Sequence, residues 1–444
     1  MSLSTDIEGA ENFKPPEAVG LAFAAGFYFS FRIILVLFSV RILGTDPRTG
    51  TEISLALNFL LLLLVCFHSF GYAIRSFSSM LRLPTIRWVL VFLIFSCWSL
   101  TWSDTVSLAI STGYWCGMAA DIAIVVLLLR ARSVTGVSHS LMKGFILSAC
   151  CLSLVAWIMP AQSDLRLGDE EFFNTNQIGN LCAFAIFFAQ YLMRRKEGKW
   201  GLAIFFLALT LLRSLSKTTI VALLLSESFL LIQDRSISRK TKILLTSAVI
   251  LVVLVFWGLF EAYYDIYTTA GNQAETLTGR TAIWAYVLNA AIDQPWIGHG
   301  FDSMWKVIPP FGPDQFEARH AENELLQQFY AYGAVGILIL GGLYGSLYRR
   351  IRRLPQGPLK MVFLSILFFV FVRGLAEAEP FDLLLPLWSI VLISLLVEHA
   401  STMDDNTIAA SFVRQFAAAS FNLGMRSWAP CEKQTFPKDS REVR

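Results

Sequence analysis

The side chains best suited to chemistry gather between residues 277 and 329, in the runs TGRTAIW, QPWIGHGFDSMW and RHAENELLQQF. Arg280 offers a fixed cation with a fork of donors for an anion. His320 titrates near neutrality, the range in which a side chain can take a proton from a substrate. On a helix His320, Asn323, Glu324 and Gln327 share one face by three- and four-residue spacing, so a polar stripe leads into the hydrophobic run that follows. Gly298 and Gly300 flank His299. Two glycines there permit positive φ or a close backbone approach to a ligand, and a plain re-entrant turn accounts for them equally well.

Three smaller groups add to this set. The hairpin LLRSLSKTTIVALL holds Arg213, Ser214, Ser216, Lys217 and Thr218. A lysine beside hydroxyls and the free amides of a starting helix is a seat for an anion, the competing reading being cations that reach to a membrane interface. In FFNTNQIGN, Asn174 and Asn176 either cap the helix that begins there or bind a polar substrate. Arg373, Glu377 and Glu379 form a further charged group that either locks one face or touches substrate.

The elements that must carry these residues are set by composition. The chain has 444 residues, 55% hydrophobic and 16% charged, with a net charge of +3 and a mean hydropathy of +0.57. Soluble proteins carry about 25% charged residues, so bilayer is the solvent here. Windows of about 20 apolar residues give twelve expected spans: 18–40, 53–74, 86–101, 107–129, 141–160, 176–193, 199–214, 218–233, 242–261, 325–347, 359–376 and 382–398. Arginine and lysine recur in alternate loops, as at Arg130 and Arg132, Arg194 to Lys196, and Arg349 to Arg353. The positive-inside rule then places both termini in the cytosol and the 262–324 loop outside.

The expected organisation is a cytosolic leader (1–17), nine transmembrane helices (18–261), a periplasmic loop with short helices that carries the chemistry (262–324), three further transmembrane helices (325–398) and a cytosolic tail (399–444). No cleavable signal peptide is expected ahead of the first span. In the loop a short helix over 280–291, with Ile283, Trp284, Val287, Leu288 and Ala291 at helical spacing, is expected to lie along the membrane surface and aim Arg280 inward. In the tail Ile408, Phe412, Val413 and Phe416 suggest an amphipathic interfacial helix.

Other features exclude other classes. The seven cysteines show no metal-ligand spacing and no disulfide framework, and there is no P-loop, GxGxxG or HExxH. ATP-driven transport by this chain alone is therefore not expected. Asp121 and Glu227 stand inside spans, where a carboxylate costs about 2.5–3.5 kcal/mol on insertion scales. They are read either as paired within the bundle, for example with Arg32, or as an ion pathway.

The order of these motifs carries a resemblance. An Asn-x-x-Gly helix start (Asn176, Gly179), Ser-Lys-Thr (Ser216 to Thr218), TGRTxIW (278–284), Pro-x-x-Gly-x-Gly-Phe (Pro295 to Phe301) and His-x-x-Asn with xxGxxG (His320 to Gly336) resemble the O-antigen ligase and polysaccharide polymerase superfamily, most closely its exopolysaccharide polymerase branch. The resemblance implies an all-α polytopic protein of the bacterial inner membrane with a GT-C-like glycosyltransferase architecture and an active site facing the periplasm. It implies an inverting transfer without metal or cofactor, from an undecaprenyl diphosphate-linked glycan to another lipid-linked repeat (polymerase) or to lipid A-core (ligase). Membrane lipids and other polysaccharide assembly proteins are the further partners expected, and nucleic acid is not.

Carried over residue by residue, Lys217 and Arg280 occupy the family's two cationic positions, with Arg213, Ser216, Thr218 and Asn176 around them. His320, Glu322 and Asn323 occupy its catalytic histidine region. Two departures stand out. Lys217 is a point charge where the family has a forked arginine, and the usual His-Asn pair reads Glu322-Asn323, with His320 two positions upstream. Residues two apart do not share a helix face, so His320 and Glu322 act together only if the segment is not yet helical. Cleaving a glycosyl–diphosphate bond builds negative charge on the leaving group, which fixed cations stabilise, while His320 or Glu322 takes the acceptor's proton and Asn323 orients. Two other classes compete: a transporter or flippase of lipid-linked glycan that uses Arg32, Asp121 and Glu227, and a structural subunit of an export complex.

Overall fold

A computed structural model describes residues 16–70, 76–131, 133–159, 166–168, 173–233, 277–310 and 319–402, with scattered positions between 238 and 254. The start of the leader, most of the expected span at 242–261, loop residues 262–276 and 311–318, and the tail beyond 402 with its expected interfacial helix lie outside the described residues. The chain divides into two units, Met1–Glu398 and His399–Arg444. Every candidate site residue belongs to the first.

Among the described residues every regular element is a helix: α1 (Pro16–Arg41), α2 (Pro47–Ser69), α3 (Phe77–Leu81), α4 (Pro84–Ser99), α5 (Leu108–Ala131), α6 (Val134–Ile158), α7 (Thr175–Arg194), α8 (Gly201–Ser214), α9 (Lys217–Gln233), α10 (Leu277–Asp293), α11 (Glu324–Arg353), α12 (Pro358–Gly374) and α13 (Leu387–Thr402). Local chemistry sets several starts. Asp46 accepts from the Thr49 amide just ahead of Pro47, and Asn174 and Gln177 close a capping box over the first turn of α7. Asn174 is thus the cap, and Asn176 is released for another use.

Helices α1, α2, α5, α6 and α11 are long and apolar enough to cross a membrane, and α4, α8 and α13 are shorter apolar helices. This is the all-helical pattern of a polytopic membrane protein. Glycines set the closest approach: Gly26 of α1 lies on the Leu141 backbone and Gly144 of α6 on that of Phe23, where no Cβ fits. The intramembrane charges singled out in the sequence have partners. Arg32 donates to Asp121 at 2.6 Å, Asn58 donates to the other Asp121 oxygen at 2.8 Å, and Gln190 donates to Glu227 at 2.7 Å.

Helix α11 is broken at Gly333 (φ 60°, ψ −156°), and the loop after α10 fills the break. The amides of Ala334 and Val335 donate to Pro295 and Trp296 at 2.8 and 3.2 Å, while the carbonyls of Tyr330 and Ala331 accept from His299 and Gly300 at 3.0 and 2.8 Å. Backbone groups freed by the kink are therefore satisfied by PWIGHG, which lets irregular backbone exist inside an apolar helix. The two glycines about His299 are explained by this lacing. Both have positive φ, and a Cβ on Gly298 would strike the Ala331–Tyr332 backbone. His299 itself bridges Asp104 (2.8 Å) and the Ala290 carbonyl (3.0 Å) and stacks on Tyr330 at 4.5 Å, so its ring is committed to structure.

Protein covers part of the apolar face of α10, while Leu288 on the same face is 45% exposed. Ile283, Val287 and Ala291 pack against Met304, Ile308, Ala321 and Tyr330. The burial of that face, worth about 1.5–3 kcal/mol for each large side chain, fixes the helix that carries Arg280.

Candidate active site

Ends of five helices meet at one place: the starts of α7, α9, α10 and α11 and the end of α12. Gly179 makes the first approach possible, since a Cβ there would stand 2.9 Å from Ser216 Cβ. Ser216 donates to Asn176 Oδ1 at 2.8 Å, and its hydroxyl lies 2.8 Å from Thr219 Oγ1, whose own proton is free to complete that bond. Asn176 then donates through Nδ2 to Glu377 Oε1 at 2.8 Å. The Asn-x-x-Gly and Ser-Lys-Thr motifs are thus two sides of one contact.

Arg280 closes the ring. Its Nη1 donates to Thr218 Oγ1 at 3.2 Å, and its Nη2 donates to Glu377 Oε1 at 3.1 Å and lies 3.6 Å from Glu322 Oε2. Arg280 Nε is buried with no hydrogen-bond partner among the described residues. Such a guanidinium, held by carboxylates and retaining a spare donor, is prepared for an anion.

The segment before α11 is not helical. Glu322 has φ +52°, and Asn323 is the N-cap, accepting from Leu326 at 2.9 Å and donating to the Leu375 carbonyl at 3.0 Å. Gln327 accepts from the Ala321 amide at 2.8 Å and pins the turn. His320 and Glu322 consequently face one another, with Nδ1 3.7 Å from Glu322 Oε1 and 3.3 Å from the Glu322 amide that donates to it. That donor puts the proton of a neutral ring on Nε2 and leaves Nδ1, beside Glu322, as the basic nitrogen.

Electrostatics divide the roles. Burial pushes His320 below the ordinary histidine range, so it is neutral and able to accept a proton at pH 7. Burial and the neighbouring Glu322 charge raise Glu377 to about 7 against the pull of Arg373 and Arg280. His320, Glu322 and Glu377 bring their donor atoms within 4.8 Å. By type the trio fits a divalent cation, although Arg280 already sets a fixed positive charge against both carboxylates.

Of the residues singled out in the sequence, Arg280, His320, Glu322, Asn176, Ser216 and Thr218 come together here, and Asn323 caps the helix beside them. Lys217 is exposed and Arg213 half-buried on the same hairpin, where Thr218 rather than Lys217 meets Arg280. Glu377, which the sequence leaves open between locking a face and touching substrate, is the acceptor for both Asn176 and Arg280. Thr219 carries no signal in the sequence beyond its place next to the Ser-Lys-Thr run. Beside Asn323 an open apolar pocket of about 490 Å³ runs between α10 and α11, lined by Trp284, Leu288, Leu325, Leu326, Phe329 and Ile337 among others.

Comparison with known proteins bears on this arrangement. The family model described as O-antigen ligase matches residues 202–341, a range that contains the Ser216–Thr219 hairpin, Arg280 and the 320–324 turn. The chain is also 23% identical over 321 residues, 66% of its length and 72% of the relative's, to the exopolysaccharide production protein ExoQ of Rhizobium meliloti (strain 1021). The two matches support the resemblance to the O-antigen ligase and polysaccharide polymerase superfamily, in its exopolysaccharide branch.

Proposed function

We propose that this protein is a membrane glycosyltransferase that takes a glycan from an undecaprenyl diphosphate donor on the periplasmic face and adds it to a growing exopolysaccharide or O-antigen chain. The observation that carries this reading is the Arg280 ring: a guanidinium with a buried spare donor, sharing Glu322 with a neutral histidine. Arg280, with Thr218 and the rim cations Lys217 and Arg213, binds the diphosphate and stabilises the charge that develops as the glycosyl bond breaks. His320 takes the proton of the acceptor hydroxyl, and Glu322 steadies the imidazolium that forms. Asn323 holds the turn in place as its cap. The acceptor oxygen attacks the anomeric carbon, the carbon–oxygen bond to the diphosphate breaks, and the electron pair leaves with the lipid diphosphate. The pocket beside Asn323 suits the first isoprenoid units of the carrier.

Transfer to lipid A-core is the second reading, favoured by the ligase description of the matching family model. The transporter reading draws no support from Arg32, Asp121 and Glu227, which are engaged inside the bundle with one another or with Asn58 and Gln190. Purified protein supplied with a lipid-linked repeat unit separates the readings. Longer lipid-linked chains are expected; transfer to added lipid A-core instead establishes the ligase, and no glycan product in either assay refutes the proposal.

A further inference from the structure

Arg373 has no task in the scheme above, yet its setting is costly. It ends the apolar run of α12 with its side chain 2% exposed. A guanidinium carries five N–H donors. Here Nε donates to Thr219 Oγ1 at 3.3 Å, Nη1 lies 3.7 Å from Glu379 Oε1, beyond hydrogen-bond reach, and Nη1 has no hydrogen-bond partner among the described residues. A buried charge left short of partners is destabilising unless something else completes it.

Its position relative to Arg280 shows what would complete it. Arg280 holds Thr218 and Arg373 holds Thr219, so guanidinium groups from α10 and α12 grip adjacent hydroxyls in the first turn of α9. Both arginines act electrostatically on Glu377 and on His320. Glu379, the ion-pair partner of Arg373, is 27% exposed, against 2% for Arg373 itself. Lys217, which the family pattern pairs with Arg280 as the other cation, is exposed.

We infer that Arg373 is the second guanidinium of the site and binds one phosphate of a diphosphate headgroup while Arg280 binds the other, the incoming phosphate displacing Glu379. This rests on the diphosphate reading of the site. Two forks on adjacent hydroxyls distinguish a diphosphate from a single phosphate, which needs only one of them.

The test is titration of the full-length protein in detergent with inorganic pyrophosphate and, separately, with inorganic phosphate. Wild type is expected to bind pyrophosphate more tightly. Arg373→Gln is expected to weaken pyrophosphate about tenfold or more and phosphate by much less, narrowing the preference. Glu379→Gln, which removes the competing counter-ion, is expected to tighten pyrophosphate. A role confined to packing would move both anions alike. If Arg373→Gln leaves the preference unchanged, the inference is overturned. Should that variant fail to fold, Glu379→Gln decides, and unchanged or weaker pyrophosphate binding overturns the inference. Failure of wild type to bind pyrophosphate overturns the diphosphate reading and this inference with it, a result distinguishable from failure of the variant alone.

Discussion

Proton placement governs the residue scale. His320 is held neutral by burial, so the acid limb of kcat/KM is expected below the ordinary histidine value of about 6.5. His320→Ala and Glu322→Gln are each expected to lower polymer output in a complemented deletion strain, the histidine change by about 10²–10⁴; full output from both would refute the assignment. Glu377, raised to about 7, makes anion binding pH-dependent. An anion beside it favours its protonated form, so binding takes up a proton and pyrophosphate affinity falls as pH rises above about 7, by at most about tenfold per unit. Glu377→Gln is expected to flatten that slope, which titration at a series of pH values reads directly. Arg280, His320 and Glu322 are legible in the sequence because charged groups between apolar runs stand out by composition. The roles of Glu377 and Thr219 are not, because their arginine partners lie 97 and 154 residues away, and periodicity carries no information about such pairs.

Elements hold this chemistry through two glycine-dependent contacts, Gly179 against Ser216 and Gly333 against Trp296. Gly333 takes a backbone conformation that costs other residues about 1–3 kcal/mol, and a Cβ there would strike Trp296. Gly333→Ala is expected to lower the thermal midpoint in detergent by several degrees. Gly341→Ala, further along the same helix with open space around its Cβ, is expected to be neutral or slightly stabilising. Equal midpoints would contradict the latch described for the broken helix. Apart from α3, which no window predicts, and α10, which is read from its periodicity, the described helices are readable from apolar windows, to within a few residues at most ends. The lacing of PWIGHG into α11 is not, because hydropathy registers the Glu324–Arg353 run as one continuous helix and is blind to a kink whose bonds come from another segment. The amphipathic pattern of α10 is legible too, but pattern alone does not say whether protein or lipid covers the apolar face.

At the scale of the molecule, the proposed reaction requires the Arg280 ring and the basic segment from the end of α11 to the start of α12 to face opposite sides of the membrane. In a cysteine-free background, Gln294→Cys and Gln356→Cys, both exposed, test this with a membrane-impermeant maleimide on cells whose outer membrane has been made permeable. Label on the first alone is expected, and label on the second alone would invert the orientation. The alternating basic loops are the ground for expecting that orientation, whereas the number of spans rests on helices of 14–17 residues, shorter than the about 20 residues that a span needs. The central claim, that the Arg280 ring moves glycan off a lipid diphosphate, is tested most directly in proteoliposomes containing purified protein and an undecaprenyl diphosphate-linked repeat unit. Wild type is predicted to give lengthened lipid-linked chains and free undecaprenyl diphosphate, and Arg280→Ala neither, while remaining folded by its thermal midpoint. Equal product from Arg280→Ala, or no glycan transfer by wild type to either a lipid-linked repeat or lipid A-core, would contradict the account.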